Sequence, residues 1–148
     1  MLDKDIIQQL QTIFGTLKSR FTLRLVSDGN EEQTSHVSEF LYDVASPSPN
    51  ISVETVTGDV PYPTFGIVRD GEPTGVSFCG IPNGHEFTTL LLALLNADGQ
   101  GKNLPDPALT ARIKALKGPI KLRTFVSLTC TNCPDVAQAL NVMALLNP

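Results

Sequence analysis

The sequence predicts an α/β protein with one full unit, residues 1–100, followed by the opening of a second unit of the same plan, residues 101–148. Three observations predict it. Apolar residues at helical spacing alternate along the chain with short runs of period two, which is the pattern of mixed helix and sheet. The stretch Asp98-Gly99-Gln100-Gly101-Lys102-Asn103 reads as a linker that divides the chain. Beyond it the order helix, strand, helix restarts, and Leu23-Arg24-Leu25-Val26-Ser27 is echoed by Leu122-Arg123-Thr124-Phe125-Val126-Ser127.

The first helix follows from Ile6, Ile7, Leu10, Ile13, Phe14 and Leu17 at helical spacing, with Asp3 as its N-cap. Phe21 to Val26 alternates and reads as a strand, and Ser27-Asp28-Gly29-Asn30 is turn chemistry. Val37, Phe40, Leu41 and Val44 mark one face of a second helix over 31–45, which Ser46-Pro47-Ser48-Pro49-Asn50 ends because proline cannot continue it. Ile51 to Val56 is a second strand. Pro61 and Pro63 introduce a third, since a proline cannot donate to a sheet ladder and sits at a strand start or edge. Arg69-Asp70-Gly71-Glu72-Pro73 reads as a hairpin turn into a strand over 74–79. A strongly apolar helix over 85–97 completes the unit, with Leu90 to Leu95 as core. This order, with Pro63 before the third strand, is that of the thioredoxin fold. A cis bond is the expected form at Pro63, because X–Pro is the linkage where cis costs little.

The first unit is a thioredoxin-like plan without redox cysteines: the loop after its first strand is Asp28-Gly29-Asn30-Glu31-Glu32. After the linker, Leu109, Ile113 and Leu116 mark a short helix over 106–117, and Ile120 to Leu128 reads as a strand. Cys130-Thr131-Asn132-Cys133 follows, then a helix from Pro134 to Leu146. Strand, Cys-x-x-Cys, helix is the layout of a thioredoxin-like redox dithiol. The second unit as given is expected to be truncated before its own proline and final strands. Val136, Leu140, Met143 and Leu146 would then lack part of their sheet and be covered by the first unit, by a second copy of the chain, or be poorly ordered, with an intermolecular contact expected.

Composition narrows the function classes. A hydrophobic fraction of 41% with 18% charged residues is ordinary for a globular protein. A net charge of −4 and the absence of any basic run argue against nucleic acid as a partner. The longest apolar stretch, Leu90 to Leu95, is too short to span a bilayer. Met1-Leu2-Asp3-Lys4-Asp5 has no apolar signal region behind it, so a cytoplasmic protein is expected. Three cysteines do not make a disulfide framework, and a Cys-x-x-Cys pair in a reducing compartment is catalytic or metal-binding. Zinc would need two further ligands, and Cys79, His36 and His85 are the only thiol and imidazole candidates, none at ligand-pair spacing. No metal site is expected. Cys79 reads as a small apolar residue in a buried strand.

Three segments carry a more specific resemblance: Met1-Leu2-Asp3; Gly84-His85-Glu86-Phe87-Thr88 with Leu91-Leu92-Ala93-Leu94-Leu95; and Ser127-Leu128-Thr129-Cys130-Thr131-Asn132-Cys133-Pro134-Asp135-Val136 with Gln138-Ala139-Leu140-Asn141. At consistent spacing over essentially the whole chain, these resemble the N-terminal domain of the alkyl hydroperoxide reductase flavoprotein subunit, two fused thioredoxin folds of which only the second keeps its cysteines. The resemblance implies that a thioredoxin-reductase-like body of the same flavoprotein, using NADH and FAD, passes electrons through this domain to the disulfide of a peroxiredoxin subunit. The chain itself has no Gly-x-Gly-x-x-Gly fingerprint and no cofactor site is expected in it; FAD and NADH are implied for the parent protein alone. A fragment of a longer flavoprotein is the favoured reading over a natural short relative.

Cys130 is the expected attacking thiol, since a helix start lowers thiol pKa values in such motifs. Cys133, one turn on, would attack the mixed disulfide and release the partner. Pro134 suits an early helix position, where its missing N–H costs little. Thr131 stands where the family often has His, which alters the electrostatic tuning of the thiol. The resemblance places the Gly-His-Glu-Phe stretch near the dithiol, where Glu86 could move protons or tune a thiol; the residues alone favour a first-turn acid stabilised by the helix dipole. His85 reads as a helix-start residue and Pro63 as structural. Two other functions compete: a non-catalytic module that docks a peroxiredoxin or the flavoprotein body through the cysteine-free unit, and a free-standing disulfide oxidoreductase.

Overall fold

The computed structural model describes residues 2–148; Met1, the first residue of the resembling segments, lies outside the described residues. By contacts the chain divides into two compact units, Met1–Ile81 and Pro82–Pro148.

In the first unit the elements run α1 (Lys4–Phe14), β1 (Phe21–Ser27), α2 (Glu31–Ala45), β2 (Ile51–Thr57), β3 (Thr64–Arg69) and β4 (Glu72–Cys79). Side-chain caps set the helix starts. The Asp3 carboxylate accepts from the Ile6 N–H at 2.9 Å, and the Asn30 amide oxygen accepts from the Gln33 N–H at 3.1 Å. The four strands form one sheet in the order β2-β1-β3-β4. β1 runs parallel to β2, with Phe21 opposite Ile51, and antiparallel to β3, with Leu23 opposite Ile67. β3 and β4 are antiparallel, with Phe65 opposite Phe78 and their rings stacked at 5.3 Å.

The period of two in β1 buries Phe21, Leu23 and Leu25 on one face; Phe65 and Ile67 of β3 join them. Leu10 and Phe14 of α1 and Val37, Phe40, Leu41 and Val44 of α2 are buried as well, as their helical spacing requires. Asp70 and Gly71 close the β3–β4 hairpin, both at positive φ (49° and 89°), the geometry for which an Asp-Gly pair is favoured.

Two expectations fail in this unit. Tyr62–Pro63 is not cis: the one cis peptide among the described residues joins Gly118 and Pro119. Trans is the lower-energy form of an X–Pro bond by about 0.5–1 kcal/mol, and Pro63 is simply buried in it. Cys79 is exposed, not buried. It ends the edge strand β4 on the face opposite the buried Thr74 and Val76.

The second unit contains a 3-10 turn (Gly84–Glu86), α3 (Phe87–Ala97), α4 (Pro107–Lys114) and α5 (Cys133–Leu146). α3 packs on α5, as does α4. Leu90, Ala93, Leu94 and Leu95 are buried, as expected of a core segment. The supposed linker is folded against the end of α3. The Gln100 N–H donates to the Leu95 carbonyl at 3.0 Å, and the Asn96 amide grips Lys102, donating to its carbonyl at 2.9 Å and accepting from its N–H at 2.6 Å.

The strand expected over 120–128 does not form. Residues 118–127 carry no ladder, because nothing among the described residues pairs with them, and a lone extended segment gains no strand hydrogen bonds. No helix among the described residues is long and apolar enough to cross a membrane.

Candidate functional site

The site is built where α5 begins. Ser127 starts the turn: its carbonyl accepts from the Cys130 N–H at 3.0 Å, and its hydroxyl lies 3.1 Å from that of Thr129. Cys130 and Cys133 are joined as a disulfide, with Cα atoms 5.5 Å apart, within the ordinary range for such a bridge. Both are half-buried, so the pair is within reach of a second protein's sulfur. Cys133 is the first residue of α5 and Pro134 the second, where proline is tolerated.

The start of α5 differs from those of α1, α2 and α4. Those three are capped by Asp3, Asn30 and Asp106, but the Asn132 side chain makes no capping bond. The first-turn N–H groups of α5, less the one that Pro134 lacks, therefore have no side-chain cap.

The Gly-His-Glu turn sits beside this loop. The His85 N–H donates to the Leu128 carbonyl at 3.4 Å, two residues before Cys130. Gly84 has φ +55, and a Cβ placed there would lie 2.8 Å from the same carbonyl oxygen. Only glycine permits so close an approach in that conformation. The predicted proximity of Gly84-His85-Glu86 to the dithiol loop is thus present at the backbone level.

Glu86 is only 2% exposed, and its Oε1 is buried with no hydrogen-bond partner among the described residues. Glu86 lies at the junction of the 3-10 turn and α3, as a first-turn acid would, and its burial assigns it no role. His85 is exposed at the helix start.

The same unit holds a cavity of about 240 Å³ lined by Thr89, Ala93, Asn96, Gln138, Asn141 and Val142 among others. Gln138 donates to the Thr89 hydroxyl at 3.4 Å, whereas the Asn141 amide nitrogen is buried without a partner among the described residues. The only sequence signal at Gly84 was its place in the Gly84-His85-Glu86-Phe87-Thr88 segment that carries the family resemblance. Nothing in periodicity marked Asn141 or Asn147. Among the described residues no three His, Cys, Asp or Glu side chains converge as a metal site would require.

A mixed α/β chain with this sheet order and a Cys-x-x-Cys disulfide heading a helix defines the class: a thioredoxin-like protein with a dithiol site. No family model matches the chain. The alkyl hydroperoxide reductase AhpF protein of Staphylococcus epidermidis is 39% identical over 148 residues, all of this chain but 29% of that protein, so the chain spans less than a third of that curated relative. The solved N-terminal NTD_N/C domain of alkylhydroperoxide reductase AhpF from Enterococcus faecalis matches with a TM-score of 0.83 at 32% identity, covering 100% of this chain and 76% of that one. A protein disulfide oxidoreductase from Aeropyrum pernix (TM-score 0.79, 17% identity, 99% of this chain and 69% of that one) shares the fold. The chain belongs to the AhpF family of alkyl hydroperoxide reductases, in the region of the N-terminal domain.

Proposed function

We propose that this chain is a thiol–disulfide relay domain, taking electrons from an NADH- and FAD-dependent reductase body of the same flavoprotein and giving them to the disulfide of a peroxiredoxin. The observation that carries the reading is the Cys130–Cys133 disulfide at the uncapped start of α5, in a chain of this family. In the reduced form, the Cys130 thiolate attacks one sulfur of the partner disulfide. A Cys130–partner bond forms and the other partner sulfur leaves as thiolate. The Cys133 thiolate then attacks the Cys130 sulfur, closing the intramolecular disulfide and releasing the second partner thiol. Two electrons pass to the partner. The reverse sequence, with a dithiol of the reductase body as donor, reloads the domain.

The flavin and nicotinamide belong to that body. The β1–α2 turn does not fit a dinucleotide: Asp28, Glu31 and Glu32 put three carboxylates at a helix N-terminus where a pyrophosphate would sit. A reversible dithiol suits a cytoplasmic location, where structural disulfides are rare. The repeat boundary near residue 100 belongs to the same proposal, as a statement about two thioredoxin-like copies. Glu86 is assigned to proton movement at the dithiol, supported by its burial and by the His85–Leu128 contact next to it.

The test mixes oxidised peroxiredoxin with the Cys133→Ser and Cys130→Ser variants after reduction. Cys133→Ser should accumulate a mixed disulfide that dithiothreitol cleaves, and Cys130→Ser should not. Glu86→Gln, which keeps the shape and loses the titrating group, should form the adduct but release partner several-fold more slowly. No adduct with Cys133→Ser would overturn the relay.

A second reading has one observation in its favour: the first unit has a complete four-stranded sheet but no cysteine in its β1–α2 loop, and exposes Tyr42 and Tyr62. Such a unit could dock a peroxiredoxin or the flavoprotein body without chemistry. Retained binding by the Cys130→Ser/Cys133→Ser double variant, with loss in Tyr42→Ala, would favour it.

A further inference from the structure

Asn83 and Gly84 form the only asparagine–glycine step in the sequence. Such a step is chemically labile. Asparagine is a thermolabile residue, and a glycine after it has no side chain to hinder attack by its nitrogen on the side-chain amide. Folded proteins protect most asparagines by holding the amide, or the N–H that follows it, in hydrogen bonds. Elsewhere in this chain that protection is visible. The Asn30 side chain caps α2, Asn50 donates to the Leu17 carbonyl at 2.9 Å, Asn96 grips Lys102 and Asn147 clasps the end of α4. The related Asp28-Gly29 and Asp98-Gly99 steps have their glycine N–H engaged, by the Ser27 hydroxyl at 3.1 Å and the Asn96 carbonyl at 3.0 Å.

None of this holds at Asn83. The residue is exposed, and its side chain makes no capping bond to the 3-10 turn that follows it. Gly84 opens that turn, so its N–H has no partner inside it and donates to no other backbone carbonyl among the described residues. The ψ of Asn83 is 178°, extended, so the Gly84 nitrogen is not locked into a helical ladder. A bulkier, slower-reacting residue is excluded at position 84, because at φ +55 its Cβ would lie 2.8 Å from the Leu128 carbonyl oxygen. The contact that lies against the dithiol loop thus keeps the labile glycine in place.

We propose that Asn83 is a site of spontaneous deamidation whose isoaspartyl product releases the dithiol loop. The Gly84 nitrogen attacks the Asn83 Cγ. The N–Cγ bond forms, the Cγ–Nδ2 bond breaks, and ammonia leaves with the Gly84 proton. Water then opens the cyclic imide. Cleavage of its Cγ–N bond leaves an ordinary aspartate, whereas cleavage at the main-chain carbonyl leaves the chain running through Cγ, one methylene longer. The extra length falls between the buried Pro82 and His85, whose N–H donates to the Leu128 carbonyl at 3.4 Å. The Asn83 carbonyl, which accepts from the Glu86 N–H at 3.1 Å, becomes a carboxylate branching off the chain. The turn can then no longer hold Leu128, two residues before Cys130, as it does now. The chemistry needs only water, so it stands or falls apart from the relay.

The experiment ages the oxidised 148-residue chain at physiological temperature and mildly alkaline pH, folded and in urea, and maps its peptides by mass spectrometry. In the folded chain Asn83 should change from amide to acid within several-fold of its rate in the unfolded chain. It should also run ahead of the exposed Asn103 and Asn132, which precede leucine and cysteine. Asn83→Gln, which would have to close a larger ring, should stay intact at that position. The isoaspartyl form, resolved from the aspartyl form by chromatography, should be reduced by dithiothreitol several-fold faster than fresh protein, because access to the disulfide sets that rate. Asn83→Asp carries the same charge without the longer chain and should be reduced at the parent rate. An Asn83 that stays intact in the folded chain while the unfolded chain converts overturns the site. An isoaspartyl form reduced at the parent rate, or an Asn83→Asp variant accelerated as much, overturns the release of the dithiol loop.

Discussion

Replacing Gly84 by alanine tests the contact that ties the Gly-His-Glu turn to the dithiol loop. Two costs act together. At φ +55 an L-residue is strained by roughly 1–2 kcal/mol. The new Cβ would also stand 2.8 Å from the Leu128 carbonyl oxygen, which is backbone and cannot swing aside as a side chain would. Moving it puts at risk the hydrogen bond from the His85 N–H at 3.4 Å, worth about 0.5–1 kcal/mol. Alanine gives back about 0.4–1 kcal/mol by restricting the unfolded chain. The net expectation is a loss of about 0.5–2.6 kcal/mol, measured by urea unfolding of the oxidised protein. Gly99→Ala is the control in the same unit: φ there is +81, but nothing lies within 4 Å of the added Cβ, so only the strain remains and the loss should be smaller than in Gly84→Ala, about 0–1.6 kcal/mol. Because Leu128 lies two residues before Cys130, Gly84→Ala should also change the rate at which dithiothreitol reduces the Cys130–Cys133 bond, and Gly99→Ala should not. Equal losses in the two variants would refute the close-approach argument. An unchanged reduction rate in Gly84→Ala would refute its link to the site.

Two further changes probe how the second unit is held. The Asn147 side chain donates to the carbonyls of Ile113 and Leu116 at 2.8 and 3.1 Å, fastening the end of α4 to the end of α5. Asn147→Ala should cost about 1–2 kcal/mol and loosen the α4 amides selectively in hydrogen exchange; uniform protection would count against the clasp. Leu94, with 0% exposure, fills the interior side of α3, and Leu94→Ala should cost about 3 kcal/mol in urea unfolding. A loss under about 1 kcal/mol would mean that the site collapses around the missing atoms.

What the sequence made legible follows from where each element finds its stabilising contacts. Helix faces such as Val37, Phe40, Leu41 and Val44, and the alternation of Phe21, Leu23 and Leu25, carry their own periodicity, and the structure buries them as that periodicity demands. Caps and the Asp70-Gly71 turn are equally local, because the residues that make them lie within four positions of one another. Cys79 failed for a different reason: its alternation was visible, but which face of an edge strand meets solvent depends on what lies beside the strand. The Gly84–Leu128 approach and the Asn147 clasp join residues more than thirty positions apart, and no local pattern announces them.

The segment 120–128 shows the limit most clearly. Its residues satisfy every local criterion for a strand, yet no strand exists there in the described chain. Strand propensity is a preference for a pleated, half-buried surface next to a partner, and it has no effect where the partner is absent. The helix that follows needs no such partner, since its hydrogen bonds are internal. This is why α5 and the disulfide at its head stand in place while the strand leading to them does not. The dithiol is thus set by two elements that close within themselves, the Ser127–Cys130 turn and the first turn of α5, and by one long-range contact, the Gly84-His85 backbone laid against Leu128. A disulfide held this way keeps its local contacts to the Ser127–Cys130 turn and the head of α5.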